Sequence, residues 1–261
     1  DEESPDVIGM SNYTWNSALN QFVGKRIRSG QNSSVPIIMG GPNISLDDDG
    51  IQSFLESHNY VDRYVMFSGE QPMAEIVRQI IVSAPDKRNS LSVRALKLNS
   101  SYAIDGGILC GGSIIDEGKD LDFVPSPYLS GAMDEFLTSG FLPILETNRG
   151  CPFSCTFCVW GISALSKLKK FSMERVKAEL EYVVNFGVTY PEIVYADANF
   201  GILKRDVEIA ESIKKAHDIH KSFQAVQFYW SKSAQPHMID IGKHLGHLTH
   251  TYVAFQSLDP V

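Results

Sequence analysis

Glu146-Thr147-Asn148-Arg149-Gly150-Cys151-Pro152-Phe153-Ser154-Cys155-Thr156-Phe157-Cys158 places three of the chain's four cysteines within eight positions, directly after the apolar run Leu142 to Glu146. The spacing is Cys-x3-Cys-x2-Cys. Thiolates this close along one loop serve a single soft metal centre. An iron-sulfur cube takes one thiolate per iron, so three cysteines leave one iron without a protein ligand and open to a reactant. Gly150 and Pro152 flank Cys151 as residues that let a loop wrap tightly. Two other uses compete with this one. A structural zinc module adds a second ligand pair at matching spacing, which the sequence lacks nearby, and a purely electron-transferring cluster uses a fourth cysteine in the run. Cys110, the remaining cysteine, sits in a glycine-rich stretch where a small hydrophobe is its ordinary role.

Outward from the cysteines, strand-like and helix-like runs alternate. Helix Met173 to Phe186, strand Glu192 to Ala196, helix Arg205 to His220, strand Phe223 to Tyr229, helix Met238 to Leu245 and strand Thr251 to Gln256 follow in turn. With Leu142 to Glu146, these are the units of an incomplete (β/α) barrel over residues 140–261, whose reactive groups belong at the C-terminal strand ends. A doubly wound sheet is the alternative. Residues 1–85 alternate in the same way: strands Asp6 to Ser11, Pro36 to Gly40 and Arg63 to Phe67, helices Trp15 to Ile27, Gly50 to His58 and Met73 to Ser83. The pattern predicts an α/β unit with a partial flavodoxin-like parallel sheet. Between the two lies a stretch, 86–139, of different character. Leu91 to Ser113, with the Gly106-Gly107 and Gly111-Gly112 pairs, reads as a hairpin or meander. Asp116 to Ser139, acidic and carrying Pro125 and Pro127, reads as an extended connector and sets the domain boundary. An opening at Asp1-Glu2-Glu3 without Met and an end at Pro260-Val261 just after a strand are expected of a fragment.

At 261 residues and 43% hydrophobic content the chain can bury one large core or two ordinary ones. A net charge of −8 argues against a nonspecific nucleic-acid surface, which needs clustered cations. Lys167, Lys169 and Lys170 read as a solvated helix start. No run approaches the roughly 20 apolar residues that span a bilayer, and no signal sequence opens the chain. Grouped free cysteines favour a reducing compartment, so a cytoplasmic protein without a membrane partner is expected.

GCPFSCTFC, Gly150 to Cys158, with the aromatic Phe157 before its last cysteine, resembles the cluster motif of the radical S-adenosylmethionine (SAM) superfamily. The resemblance implies that Cys151, Cys155 and Cys158 hold a 4Fe-4S cluster whose open iron is chelated by the amino and carboxylate groups of SAM. Reductive cleavage then yields a 5′-deoxyadenosyl radical, which starts methyl transfer, cyclisation or rearrangement on a small-molecule or peptide substrate that the sequence does not name. A reductant such as flavodoxin or ferredoxin is implied as partner. By the same resemblance Phe157, Asp197, Asn199, Gln256 and Ser257 contact the cofactors. Asp197 and Asn199 close the second barrel strand, where the SAM amino group is held; Gln256 and Ser257 close the fourth, near the ribose or carboxylate. Gln227 and Tyr229 on the third strand face the same cavity or keep an ordinary strand role. For Asp197 and Asn199 the competing role is an N-cap and turn for the next helix. An iron-sulfur electron-transfer or binding protein without SAM cleavage is the alternative for the whole chain.

SNYTWN (Ser11 to Asn16), GGPN (Gly40 to Asn43) and SGEQP (Ser68 to Pro72) each end a strand, where a ligand sits in such sheets. Together they resemble the C-terminal portion of the cobalamin-binding domain that precedes the barrel in many radical SAM enzymes, which makes cobalamin a candidate third cofactor. Their glycines equally suit tight βα turns. The Asp-x-His-x-x-Gly motif of histidine-ligated members is absent. Asp218 and His220 match its start, but Phe223 stands where Gly is needed. His244, His247 and His250 form a run that invites a metal reading, although Gly246 and the strand that follows turn the three apart, and partly exposed histidines are expected.

Overall fold

A computed structural model describes residues 5–112, 120–156, 158 and 167–252, and its chain divides into two compact units, Asp1–Asp116 and Glu117–Val261. Phe157, Gln256 and Ser257 lie outside the described residues.

The first unit runs β1 (Ile8–Ser11), α1 (Ser17–Arg28), β2 (Ile37–Gly40), α2 (Asp48–Ser57), β3 (Arg63–Val65), α3 (Glu70–Val82), α4 (Ser90–Arg94), β4 (Ser101–Asp105) and β5 (Ile108–Gly111). The sheet order is β1-β2-β3-β4-β5, parallel through β3 and antiparallel beyond it. Ile37, Ile38 and Met39 are all buried, as a strand covered on both faces requires. Met39 packs with Ile51, Leu55 and Tyr64, while its neighbour Ile38 packs with Ile76 and Ile80 on the other side. Asp47 starts α2 by accepting from the Gly50 N–H at 2.8 Å.

Three expectations change here. The stretch after Leu91 does not begin as a meander, because Asn89 caps a short helix, accepting from the Ser92 N–H at 3.0 Å. The hairpin that follows turns at Gly106 and Gly107, both with positive φ, and joins the first unit's sheet instead of standing apart with a connector. The sheet is therefore mixed, and its described strands lack the reversal of order that marks a flavodoxin-like sheet.

Gly24 of α1 meets the core most closely. A Cβ there would stand 2.1 Å from the ring of Tyr60, itself 1% exposed. Gly24→Ala is expected to lower stability by about 2 kcal/mol through overpacking, in spite of alanine's better helix propensity. A urea midpoint shifted down at unchanged slope checks it; an unshifted midpoint means the ring swings aside.

The second unit runs α5 (Asp134–Thr138), β6 (Ile144–Leu145), β7 (Asn148–Arg149), β8 (Lys169–Lys170), α6 (Met173–Val184), β9 (Tyr190–Phe200), α7 (Asp206–His220), β10 (Phe223–Trp230), α8 (Met238–Leu245) and β11 (Thr249–Tyr252). Its main sheet has the order β11-β10-β9-β6 with every pair parallel, the arrangement expected of successive βα units. Its core joins Ile193 and Tyr195 of β9, Val226 and Phe228 of β10, Leu180 and Val183 of α6, Ile209 and Ile213 of α7, and Ile241 and Leu245 of α8. The expected connector is part of this unit. Leu121, Tyr128 and Leu137 are buried in its core, and the Tyr128 hydroxyl donates to the Ile144 carbonyl at 2.8 Å. Among the described residues, no helix is long and apolar enough to cross a membrane.

Candidate cluster and cofactor site

The cysteine loop leaves the C-terminal end of β6 and is held at both feet. Asn148–Arg149 pairs antiparallel with Lys169–Lys170, so the chain leaves and returns at one place. Arg205, just before α7, donates Nη1 to the Phe171 carbonyl and Nη2 to the Thr147 carbonyl, each at 2.6 Å. Arg149 pairs with Glu146 at 2.8 Å. Gly150 turns into the loop at φ +107, a conformation that needs the missing Cβ.

Opposite the loop, β9 is irregular. Tyr195 pairs with Phe228 and Phe200 with Trp230, so the four residues Ala196 to Asn199 stand against one residue of β10. Such a bulge re-aims side chains. Here it lengthens the strand beyond its expected end at Ala196 and makes Asp197 and Asn199 strand residues rather than a helix cap and turn.

Asp197 is fully buried. Its Oδ1 accepts from the backbone N–H groups of Thr147 at 2.6 Å and Asn148 at 3.2 Å; its Oδ2 accepts from Asn148 Nδ2 at 2.7 Å and from the Thr147 hydroxyl. A carboxylate offers about four acceptor positions, and these partners fill them. Through these bonds the Asp197 carboxyl braces the first residues of the loop against β9. Burial pushes that carboxyl up to about 7, with Asp206 adding to the rise and the Thr147 and Asn148 hydrogen bonds opposing it.

Asn199 faces the cysteines. Its Nδ2 donates to the Cys151 sulfur at 3.1 Å, and its buried Oδ1 has no partner among the described residues. The buried Oδ1 of Asn148 is in the same condition. From the segment after β10, Lys232 Nζ donates to the Cys155 sulfur at 3.1 Å. Cys151 is buried, Cys155 and Cys158 are half-buried, and the Cys158 N–H closes a turn on the Cys155 carbonyl at 3.1 Å. Among the described residues no three His, Cys, Asp or Glu groups converge as a metal-ion site. A cube differs from a single ion in taking its thiolates at separate irons. The donor set of three free thiols, with N–H groups on two of their sulfurs, fits such a cluster chemically. Tyr229 is half exposed and Gln227 is half-buried, both on β10. His244 pairs with Glu211 of α7 at 3.2 Å, outside this site.

Thr147, Asn148, Arg205 and Lys232 were not singled out from sequence. The first two lie in the quoted run but carry no ligand pattern. Arg205 and Lys232 arrive only through tertiary contact.

In the first unit the strand-end motifs bind one another. Asn12 Nδ2 donates to the Asn43 carbonyl at 2.8 Å and to the Tyr64 hydroxyl at 3.1 Å, and that hydroxyl donates to the Gly41 carbonyl at 2.8 Å. Gly41 has φ +132, and a Cβ there would lie 2.4 Å from the Asn12 carbonyl oxygen, so this glycine serves a tight turn. Beside it Tyr13 and Trp15 stack with ring centroids 4.4 Å apart, and Trp15 is 79% exposed. The histidine of this unit, His58, packs on Phe54 at the end of α2 and not at these strand ends.

No protein-family model matches the chain. It is 32% identical over 250 residues, 92% of its length, to the cobalamin-dependent radical SAM methyltransferase TokK of Streptomyces tokunonensis. The chain is a homologue of the cobalamin-dependent radical SAM methyltransferases. It is also 30% identical over 247 residues to the 2-(S-pantetheinyl)-carbapenam-3-carboxylate methyltransferase of Streptantibioticus cattleyicolor. It spans 34% of the length of each of these two relatives. Among solved radical SAM structures, it shares its fold with TsrM of Kitasatospora setae, with cobalamin and a 4Fe-4S cluster bound (TM-score 0.64, 13% identity, 95% of this chain and 49% of that one). OxsB with aqua-cobalamin and SAM bound gives a TM-score of 0.61 at 19% identity, covering 94% of this chain and 34% of that one.

Proposed function

We propose that this chain is the cofactor-handling stretch of a cobalamin-dependent radical SAM methyltransferase, with Cys151, Cys155 and Cys158 as the protein ligands of a 4Fe-4S cluster. The observation that carries the proposal is the convergence of Asn199 from β9 and Lys232 from beyond β10 on the sulfurs of Cys151 and Cys155. N–H donors on sulfur favour the thiolate that iron needs. When bound, such a cluster supplies one electron, at its iron without a protein ligand, for cleavage of the SAM sulfonium bond.

The chain's own residues do the positioning. Asp197 fixes Thr147 and Asn148, and with them the angle at which the loop leaves β6. The unpartnered Oδ1 atoms of Asn199 and Asn148 are acceptors suited to the ammonium of SAM. Phe157, Gln256 and Ser257 keep their proposed cofactor contacts by family resemblance. In the first unit the Tyr13–Trp15 face is the seat proposed for cobalamin, beyond the C-terminal end of β1 in the parallel part of a mixed sheet and without a histidine ligand from this stretch. Methyl transfer is favoured over cyclisation because both relatives are named as methyltransferases. A small-molecule or peptide substrate, a flavodoxin or ferredoxin reductant and a cytoplasmic setting complete the proposal.

Anaerobic reconstitution with iron and sulfide, dithionite reduction with SAM, and chromatography for 5′-deoxyadenosine test it. Release of the nucleoside supports SAM cleavage. A cluster that forms while SAM survives favours an electron-transfer protein instead.

A further inference from the structure

We infer that Lys232 sets the reduction potential of the proposed cluster through its hydrogen bond to the Cys155 sulfur, raising that potential and so easing uptake of the electron. The inference rests on the proposed function and adds a positioning residue to it.

Lys232 lies just past the end of β10, in the segment that Ser231 fastens to β9 by donating its N–H to the Phe200 carbonyl at 2.9 Å. The anchor is firm: Phe200 is fully buried and stacks on Phe228 with centroids 4.0 Å apart. The lysine is thus delivered to the cysteine loop from a fixed strand end, at 3.1 Å from the Cys155 sulfur. Cys151 receives a neutral amide hydrogen from Asn199 at the same distance. The two donors differ in charge, and that difference is the basis of the inference. Reduction adds one negative charge to the cluster and its thiolates. A cation donating to a ligand sulfur stabilises the reduced form more than the oxidised form, whereas a neutral amide does so only through its dipole. The Lys232 side chain is exposed, so exchanging its head group leaves the core untouched. The electron comes from a low-potential one-electron donor, dithionite in the test, and no bond is made or broken in the step.

The test is a redox titration of the full chain after anaerobic reconstitution, followed by the reduced cluster's paramagnetic signal, for the unaltered chain and for Lys232→Met, Lys232→Arg and Lys243→Met. Lys243 lies on α8, paired with Asp240, and controls for net charge alone. Lys232→Met is expected to lower the ratio of reduced to oxidised cluster about tenfold at a fixed poise, equivalent to 59 mV for one electron. Lys232→Arg is expected to retain most of the ratio, and Lys243→Met all of it. An unchanged midpoint in Lys232→Met overturns the inference, as does an equal shift in Lys243→Met or a full shift in Lys232→Arg. Failure of the unaltered chain to hold a cluster is a separate result, and it removes the proposed function along with this inference.

Discussion

Replacing Cys151, Cys155 and Cys158 together with alanine is expected to bring 5′-deoxyadenosine release down to the level of a protein-free control, with bound iron falling from about four per chain toward none. The three thiols are free, and neither Cys155 nor Cys158 is fully buried, so the change removes ligands without opening a large cavity. Unfolding by denaturant should therefore stay close to that of the unaltered chain, which separates lost chemistry from lost fold. Cys151→Ala alone is expected to match the triple variant most nearly. It is the buried member, it follows the positive-φ Gly150, and it holds the Asn199 hydrogen bond. Zinc in place of iron and sulfide, or cleavage that persists without the cysteines, would sink the cluster assignment.

Much of this arrangement was legible before any coordinates. The cysteine run was informative because its spacing is a chemical constraint rather than a packing preference. The parallel strands β1, β2 and β3 announced themselves as short apolar runs between amphipathic helices. The residues between the two α/β regions were misjudged for a physical reason. Leu121, Tyr128 and Leu137 are isolated anchors in an acidic, proline-bearing stretch, and local composition does not reveal that they reach a core formed by residues far along the chain. The end of β9 was misjudged for another. Asp and Asn favour caps and turns locally, but a bulge in the ladder with β10 kept Asp197 and Asn199 on the strand and turned them toward the loop. Arg205 and Lys232 were not findable at all, since nothing local distinguishes a lysine that meets a cysteine sulfur from one in solvent.

Asp197→Ala is the second large effect. It leaves two backbone N–H groups, the Thr147 hydroxyl and the Asn148 amide buried without their acceptor, and each such loss costs about 1–3 kcal/mol, not additively. A destabilisation of about 4 kcal/mol at pH 5 is expected, with a melting point roughly 10 °C lower. The pH matters because the folded carboxyl titrates at about 7 rather than at the ordinary 3.8. Between those values the folded chain binds a proton that the unfolded chain does not, so this residue's contribution to stability is whole below about pH 4, is lost as pH rises through about 7, and is flat above. Asp197→Ala should then cost less at pH 8 than at pH 5. Asp197→Asn gives the sharper comparison. Its oxygen can keep both backbone donors, and its amide finds an acceptor if Asn148 flips to present the Oδ1 that now has no partner. Free of the buried charge, Asp197→Asn should gain stability relative to the unaltered chain as pH rises from about 4 to about 7. Denaturant unfolding of the three chains at pH 5 and pH 8 checks both claims. Parallel behaviour of the Asn variant and the unaltered chain at both pH values would mean that Asp197 stays ionised throughout, held as a carboxylate by its four donors.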